Sequence, residues 1–320
     1  MNVRKFFNLL IVFAISLMVY QIIRQLYDPY WQELADSTFR VLAGKPDWLA
    51  YQNRLLAPFL VSIITSFGVS QVSALKIFVL FMVVGQNVLL FLLFSTSKEA
   101  SRNAIFAVLA YTILFLFVQE YRLYPWDYVD IFLFTFFAWG VFERKSLLFF
   151  VLLFFVAILN RESALFISLY MALDAFEIDG KLILKSKTKL ITGITLTIAG
   201  ILFVIAIREF LFISQPGGFN DSKHELIGNH FNLLKNLNAL FVGNIASFQI
   251  LNSLFLLGSM GYVLTFLKHK WKAVLIYLVL LLNILIFGVV NESRLYGILL
   301  PFLIFFLFDF GDSKAETASL

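Results

Sequence analysis

The chain has 320 residues, of which 61% are hydrophobic and only 14% charged, and its mean hydropathy is +0.88. A soluble domain carries roughly 45–50% apolar and ~25% charged residues, so a soluble globular enzyme, a disordered chain and a single-span anchor are excluded. The net charge of +5 points to no nucleic-acid partner, and the absence of Cys removes disulfides, thiolate metal sites and Cys nucleophiles. No P-loop or dinucleotide-binding glycine pattern occurs, so ATP-driven work is not expected.

In chain order, Met1 to Lys5 and the apolar run 6–23 read as a retained first span, since the run is long for a signal peptide and lacks a small-residue cleavage site. Residues 24–72 read as an outer loop. Within it, Trp31 to Ala43 suits a short amphipathic helix with Gly44 as its stop, and Asp36 and Arg40 share one face. Leu55 to Ser70 is a short apolar stretch. Further apolar runs cover 73–95, 103–118, 128–142, 146–159, 163–176, 189–213, 247–267, 273–290 and 296–308. Ten spans of about 20 residues would use about 200 residues. The expected fold is therefore an all-α polytopic membrane protein with about ten transmembrane helices, plus outer juxtamembrane helices in the first outer loop. Residues 214–246 form a second long outer loop and 309–320 a polar cytoplasmic tail. The 39 Phe suit lipid-facing spans or a groove for a long prenyl chain.

Charge orients these runs. Basic clusters occur at Arg4-Lys5, Lys98/Arg102, Arg144-Lys145, Lys181–Lys189 and Lys268–Lys272, and the positive-inside rule places all of them in the cytoplasm. An even number of spans between Lys5 and Lys98 then requires 55–70 to lie in, or dip into, the outer interface. The remaining polar clusters fall outside, and the two basic residue types separate. Most Lys lie inside, whereas Arg24, Arg40, Arg54, Arg122, Arg161, Arg208 and Arg294 lie outside. A planar guanidinium suits phosphate, so outer Arg at helix tips reads as a convergent anion site or as a set of local ion pairs. Arg161 and Arg294 carry the phosphate reading more strongly than Arg24 and Arg208, with Glu162 and Glu292 as their local partners. His230 lies in the long outer loop, placed to touch phosphate if that loop closes as a lid, or simply solvated. Outer aromatics such as Tyr51, Tyr124 and Trp126 suit an interfacial belt or sugar stacking.

A first span is followed by an outer loop with Asp28, Asp36, Phe39 and Ala43-Gly44, then by Arg54-Leu-Leu-Ala-Pro58 opening an interfacial helix. Two spans later comes the acidic outer loop Tyr121-Arg-Leu-Tyr-Pro-Trp-Asp127. This order, over residues 1–180, resembles the GT-C superfamily of membrane glycosyltransferases, which use polyprenyl-phosphate-linked sugars. The resemblance implies Asp36 as general base, with Asp28 its rival, and Asp127 orienting the acceptor or a metal, with Asp130 its nearest competitor. Asp127 also reads as a helix cap, because it precedes an apolar run. Arg40, Arg54 and Arg122 join Arg161 and Arg294 as substrate-binding candidates.

The expected protein is thus a hexosyl- or pentosyltransferase of the cell inner membrane, with both termini cytoplasmic. Its partners would be a lipid-linked sugar donor and a glycan or lipid acceptor, and a divalent cation is left open as cofactor. The alternatives are a polysaccharide polymerase or ligase, which usually carries functional Arg in a larger outer loop, and a lipid-linked sugar flippase or transporter. A transporter would place more polar groups at mid-bilayer than Gln86, Asn87 and Asn283.

Overall fold

The computed structural model describes residues 3–47, 51–95, 100–119, 122–179, 181–211, 231–245, 247, 249–308 and 310. Of the described residues about 80% are helical, and the fold is all-α. The helices are α1 (Val3–Leu26), α2 (Trp31–Leu42), α3 (Leu56–Thr65), α4 (Gln71–Phe94), α5 (Ala100–Val118), α6 (Pro125–Phe142), α7 (Leu147–Ile158), α8 (Leu165–Leu173), α9 (Lys187–Ala206), α10 (Leu233–Asn238), α11 (Ile250–Leu264), α12 (Leu267–Phe287) and α13 (Leu300–Leu307). One element falls outside this pattern. The charged segment after α8 forms an antiparallel hairpin, β1 (Phe176–Asp179) with β2 (Lys181–Leu184), in which Phe176 faces Leu184.

Among the described residues, each of the ten apolar runs is largely helical. Among the described residues, four helices are long and apolar enough to cross a membrane: Lys5–Leu26, Gln71–Phe94, Lys187–Leu211 and Leu267–Phe287. That pattern fits a multi-pass membrane protein. The other apolar helices fall short of that length or hydropathy. The 12 residues of α7 rise about 18 Å against a hydrocarbon core of about 30 Å, and α7 ends where Asn160 turns into the bundle, fully buried. At ten residues, α3 rises about 15 Å, half the core thickness.

Between α1 and α3, α2 buries Trp31, Leu34, Ala35, Thr38 and Val41, which recur at helical spacing. Gly44 follows in the left-handed conformation at φ 72°, where a side chain would be strained. Ser70 starts α4 by accepting the Ser73 amide on its hydroxyl at 3.3 Å.

At the centre stand α4, α6 and α13, and every residue of α13 except Leu307 is buried. Many of the Phe side chains are used here, between helices rather than toward lipid. Phe137 meets Phe150, Tyr170 and Phe302 edge to face, and Phe94 packs against Phe305 and Phe310, arrangements that add to their apolar burial. The mid-helix polar groups are interhelical ties. Gln86 Nε2 donates to Thr135 Oγ1 at 2.7 Å, joining α4 to α6, and Asn87 Nδ2 donates to Ser16 Oγ at 3.0 Å, joining α4 to α1.

The closest helix approach is between α8 and α9. A Cβ on Gly193 would lie 2.5 Å from the Ala172 nitrogen and 2.8 Å from the Ser168 oxygen. Backbone therefore lies on backbone there, as small residues permit in membrane bundles. Gly193→Leu is expected to cost at least the ~1–3 kcal/mol typical of overpacking and to lower the melting temperature of the detergent-solubilised protein. An unchanged melting temperature would show that α8 and α9 do not pack this way.

Candidate anion-binding site

At the end of the bundle where α6 begins and α7, α9 and α12 finish lies a cavity of about 470 Å³. One wall is charged and holds Arg54, Asp127, Asp130, Arg161, Glu162, Arg208 and Arg294. The other is apolar, with Leu165, Phe166, Ile284, Phe287 and Leu295, and Asn283 adds an amide.

Long-range hydrogen bonds bring these residues together. The amides of Leu55 and Leu56 donate to the Leu159 carbonyl at 2.9 and 2.8 Å, fixing the segment before α3 against the end of α7. Asn53 Nδ2 donates to Glu162 at 2.6 Å. Arg54 is thereby placed beside Arg161. Its guanidinium lies over the rings of Tyr51 (4.6 Å) and Trp126 (5.1 Å), and Trp126 stacks in turn on Tyr124. Asn160 is a second pin, because its Nδ2 reaches both the Trp126 carbonyl (2.9 Å) and Asp130 (2.7 Å). Arg161 Nη1 then lies 3.2 Å from both Asp127 and Asp130. Arg294 bonds Glu292 at 3.2 Å, lies 3.9 Å from Asp127 and sits over the Tyr124 ring. Ser163 hydroxyl faces Asp130 at 3.4 Å.

Four arginines thus meet three carboxylates on the lining, and they are not equally satisfied. Burial and the surrounding carboxylates act in opposite directions on Arg161 and Arg294, and the carboxylates prevail, holding both guanidinium groups more firmly protonated than usual. Arg54 is different. It is only 4% exposed, and its Nε and Nη1 have no hydrogen-bond partner. Burial first, and then the charge of Arg161, push it down to about 10. Glu162 acts on Arg54 without a direct ion pair, and a buried guanidinium so incompletely paired is costly unless a ligand completes it. Arg208, at the end of α9, also has a buried Nε without a partner, and among the described residues no carboxylate pairs with it.

Glu162 balances part of this charge. Burial raises its carboxyl, but Arg54, Arg161 and the Asn53 hydrogen bond outweigh burial and hold it below its ordinary 4.5. A depressed carboxyl contributes stability that is complete above the ordinary value and is lost as pH falls through the folded one. Glu162→Gln is therefore expected to destabilise the protein at pH 7. It should also flatten the loss of stability below about pH 4.5, read from melting temperatures across pH.

The sequence candidates divide into those the cavity collects and those it does not. Arg54, Asp127, Arg161, Glu162 and Arg294 line it, with Glu292 bonded to Arg294. Asp36 does not. It is on α2, accepts a hydrogen bond from Gln32 at 2.8 Å and does not line the cavity that holds Asp127. Arg40 bonds Asp47 at 2.6 Å, and Arg122 bonds Glu33 at 2.7 Å while lying over Tyr30. Both are tied to the segment between α1 and α3. His230 lies outside the described residues. Arg161 is held by Asp127 and Asp130, not chiefly by its neighbour Glu162. Asp127 also caps α6, accepting the Tyr124 amide at 2.9 Å, so the capping role and the site role coexist. Tyr51 and Trp126 are buried beneath the site instead of forming a belt.

Sequence reasoning missed the amide pins Asn53 and Asn160 and underweighted Arg208 and Asp130. The available signal was the repeated Asn-Arg pair at 53–54 and 160–161, polar dipeptides closely flanked by apolar runs. Among the described residues, no group of three or more His, Asp or Glu converges to hold a metal ion, and the cavity carboxylates already face arginines or amides. In comparisons with protein families, with curated proteins and with solved structures, the chain matches none.

Proposed function

We propose that the chain is a GT-C-like membrane glycosyltransferase whose arginine-lined cavity holds the phosphate of a polyprenyl-phosphate-linked sugar. One observation carries this reading: Arg54 is a buried guanidinium with no carboxylate at ion-pair distance, on the lining of a cavity that also holds Arg161 and Arg294. The facing apolar wall of Leu165, Phe166, Phe287 and Leu295 suits the first isoprene units of such a donor. All ten apolar helices would lie in the bilayer, the short ones as broken spans. Non-helical backbone is tolerated at that depth where it lines a cavity.

In the proposed step the acceptor hydroxyl loses its proton to Asp127 and its oxygen bonds the anomeric carbon. The carbon–oxygen bond to phosphate breaks, the electron pair leaves with the polyprenyl phosphate, and the anomeric configuration inverts. Arg54, Arg161 and Arg294 stabilise the charge that develops on the leaving oxygen, in a site where low polarity strengthens the effect. As Arg161 and Arg294 engage the phosphate, an oxygen of Asp127 is released for the acceptor. Asp130 is less available, because Asn160, Arg161 and Ser163 occupy both of its oxygens. The acceptor side would be extracytoplasmic and the membrane a bacterial-type inner membrane.

The test is transfer from polyprenyl-phosphate sugars by the purified chain in liposomes. Arg161→Ala and Arg294→Ala, each confirmed as folded, are expected to lower transfer by about 10²-fold or more. Full transfer by both variants would reject the anion site.

A further inference from the structure

A second cavity, of about 740 Å³, occupies the other end of the bundle. It is distinct from the first, since Asp127 is near the start of α6 and Phe142 closes its end, and 18 residues rise about 27 Å. The turn after α6, the β1–β2 hairpin, the start of α9 and the start of α12 enclose it. Its lining carries five cations, Arg144, Lys185, Lys189, Lys270 and Lys272, against the carboxylates Glu143, Asp174 and Glu177.

Three features show that this charge is organised. Asp174 accepts Lys189 Nζ at 2.5 Å and Lys272 Nζ at 2.6 Å, so one carboxylate holds two ammonium groups side by side at the cavity wall. Each ammonium has three donors, and Asp174 does not exhaust them. Arg144 stands at φ 52°, the described non-glycine residue with positive φ. Its amide bonds the Val141 carbonyl and the next amide, of Lys145, bonds the Gly140 carbonyl at 2.9 Å. That is a Schellman closure of α6, whose left-handed position is ordinarily glycine. An arginine there carries backbone strain, and among the described residues no carboxylate pairs with its guanidinium. Finally, the hairpin is apolar on its exposed surface: Ile178 is exposed and lines the cavity, and Leu182, its partner across the hairpin, and Leu184 are exposed too, on the segment that leads into the candidate span α9.

We infer that this cavity binds the phosphate-bearing headgroup of an anionic lipid, with Arg144, Lys189 and Lys272 on the phosphate and the hairpin's apolar edge against the acyl chains. A basic pocket between membrane helices is the physical form such recognition takes. Free phosphate offers the same charge but leaves the apolar hairpin surface unused, which favours the lipid.

The test is native mass spectrometry of the full chain in neutral detergent, titrated with phosphatidylglycerol or phosphatidylcholine, with inorganic phosphate as competitor. Phosphatidylglycerol should bind more tightly than phosphatidylcholine and resist inorganic phosphate. Arg144→Gly should weaken it about fivefold. Its melting temperature should be unchanged or higher, because glycine relieves the strain, so the loss cannot be read as unfolding. Lys187→Gln removes a charge from the same end but does not line the cavity, and should bind as wild type. Equal affinity for the two lipids would overturn the inference, as would equal losses in Arg144→Gly and Lys187→Gln. Displacement by inorganic phosphate would overturn the lipid as the source and assign the cavity to a free anion.

Discussion

Arg54→Met is expected to lower sugar transfer by about 10²–10³-fold, the effect of removing one preorganised donor from a developing anion, while leaving the fold as stable as wild type or more so. The two changes have opposite signs for one reason. The guanidinium is buried with no carboxylate at ion-pair distance, and burial pushes it down to about 10. A base depressed in the folded state costs stability at every pH below that value, and the cost is relieved only as pH rises through it. Met keeps the apolar stem between Tyr51 and Trp126 and removes the charge. Arg54→Lys should restore little transfer, since an ammonium neither stacks on the two rings nor presents a planar fork to phosphate. The measurements are initial rates with a polyprenyl-phosphate sugar in liposomes and melting temperatures in detergent. If Arg54→Met transfers normally, or if it unfolds, Arg54 is a structural cation and not a phosphate ligand.

Asp127→Asn and Asp36→Asn should differ by at least about 10²-fold. General base catalysis is worth ~10²–10⁴-fold, and the group that supplies it must reach the acceptor hydroxyl. Asp127 lines the cavity within 3.2 Å of Arg161, whereas Asp36 bonds Gln32 on the surface of α2. Asp127→Asn keeps the shape of the residue and an oxygen for the Tyr124 amide, so the cap on α6 should survive. Asp36→Asn is expected to stay within a few-fold of wild type, about the spread of ordinary surface substitutions. The reverse order of losses would return the base role to Asp36 and place the reaction at the segment between α1 and α3.

The readable part of this fold was written in composition. Among the described residues the ten apolar runs are largely helical because each supplies a continuous apolar surface, and the segregation of Lys from Arg marked the two ends where cavities lie. Helix length was less legible. A sequence shows that Asn160 interrupts an apolar run but not that it turns inward to hold Asp130 and the Trp126 carbonyl. The site followed the same division. Arg161 and Arg294 announce themselves as arginines at helix tips. Their partners are tertiary: Asn53 meets Glu162 across 109 residues, a pairing no local spacing encodes. Asp36 was marked out by the resemblance and shares a helix face with Arg40, but the direct ion pair of Arg40 is with Asp47. The strain at Arg144 is equally invisible in sequence, because it depends on how the turn after α6 closes.

The central claim is that the cavity at the arginine end holds a phosphate. Its most direct measurement is a cryo-electron-microscopy structure of the protein in nanodiscs with bound polyprenyl phosphate. The expected result is a phosphate within hydrogen-bonding distance of Arg54 and at least one of Arg161 and Arg294, with the prenyl chain along Phe166 and Phe287. A phosphate seated instead among Asp36, Arg40 and Arg122, with the Arg54 guanidinium still unpartnered, would contradict it.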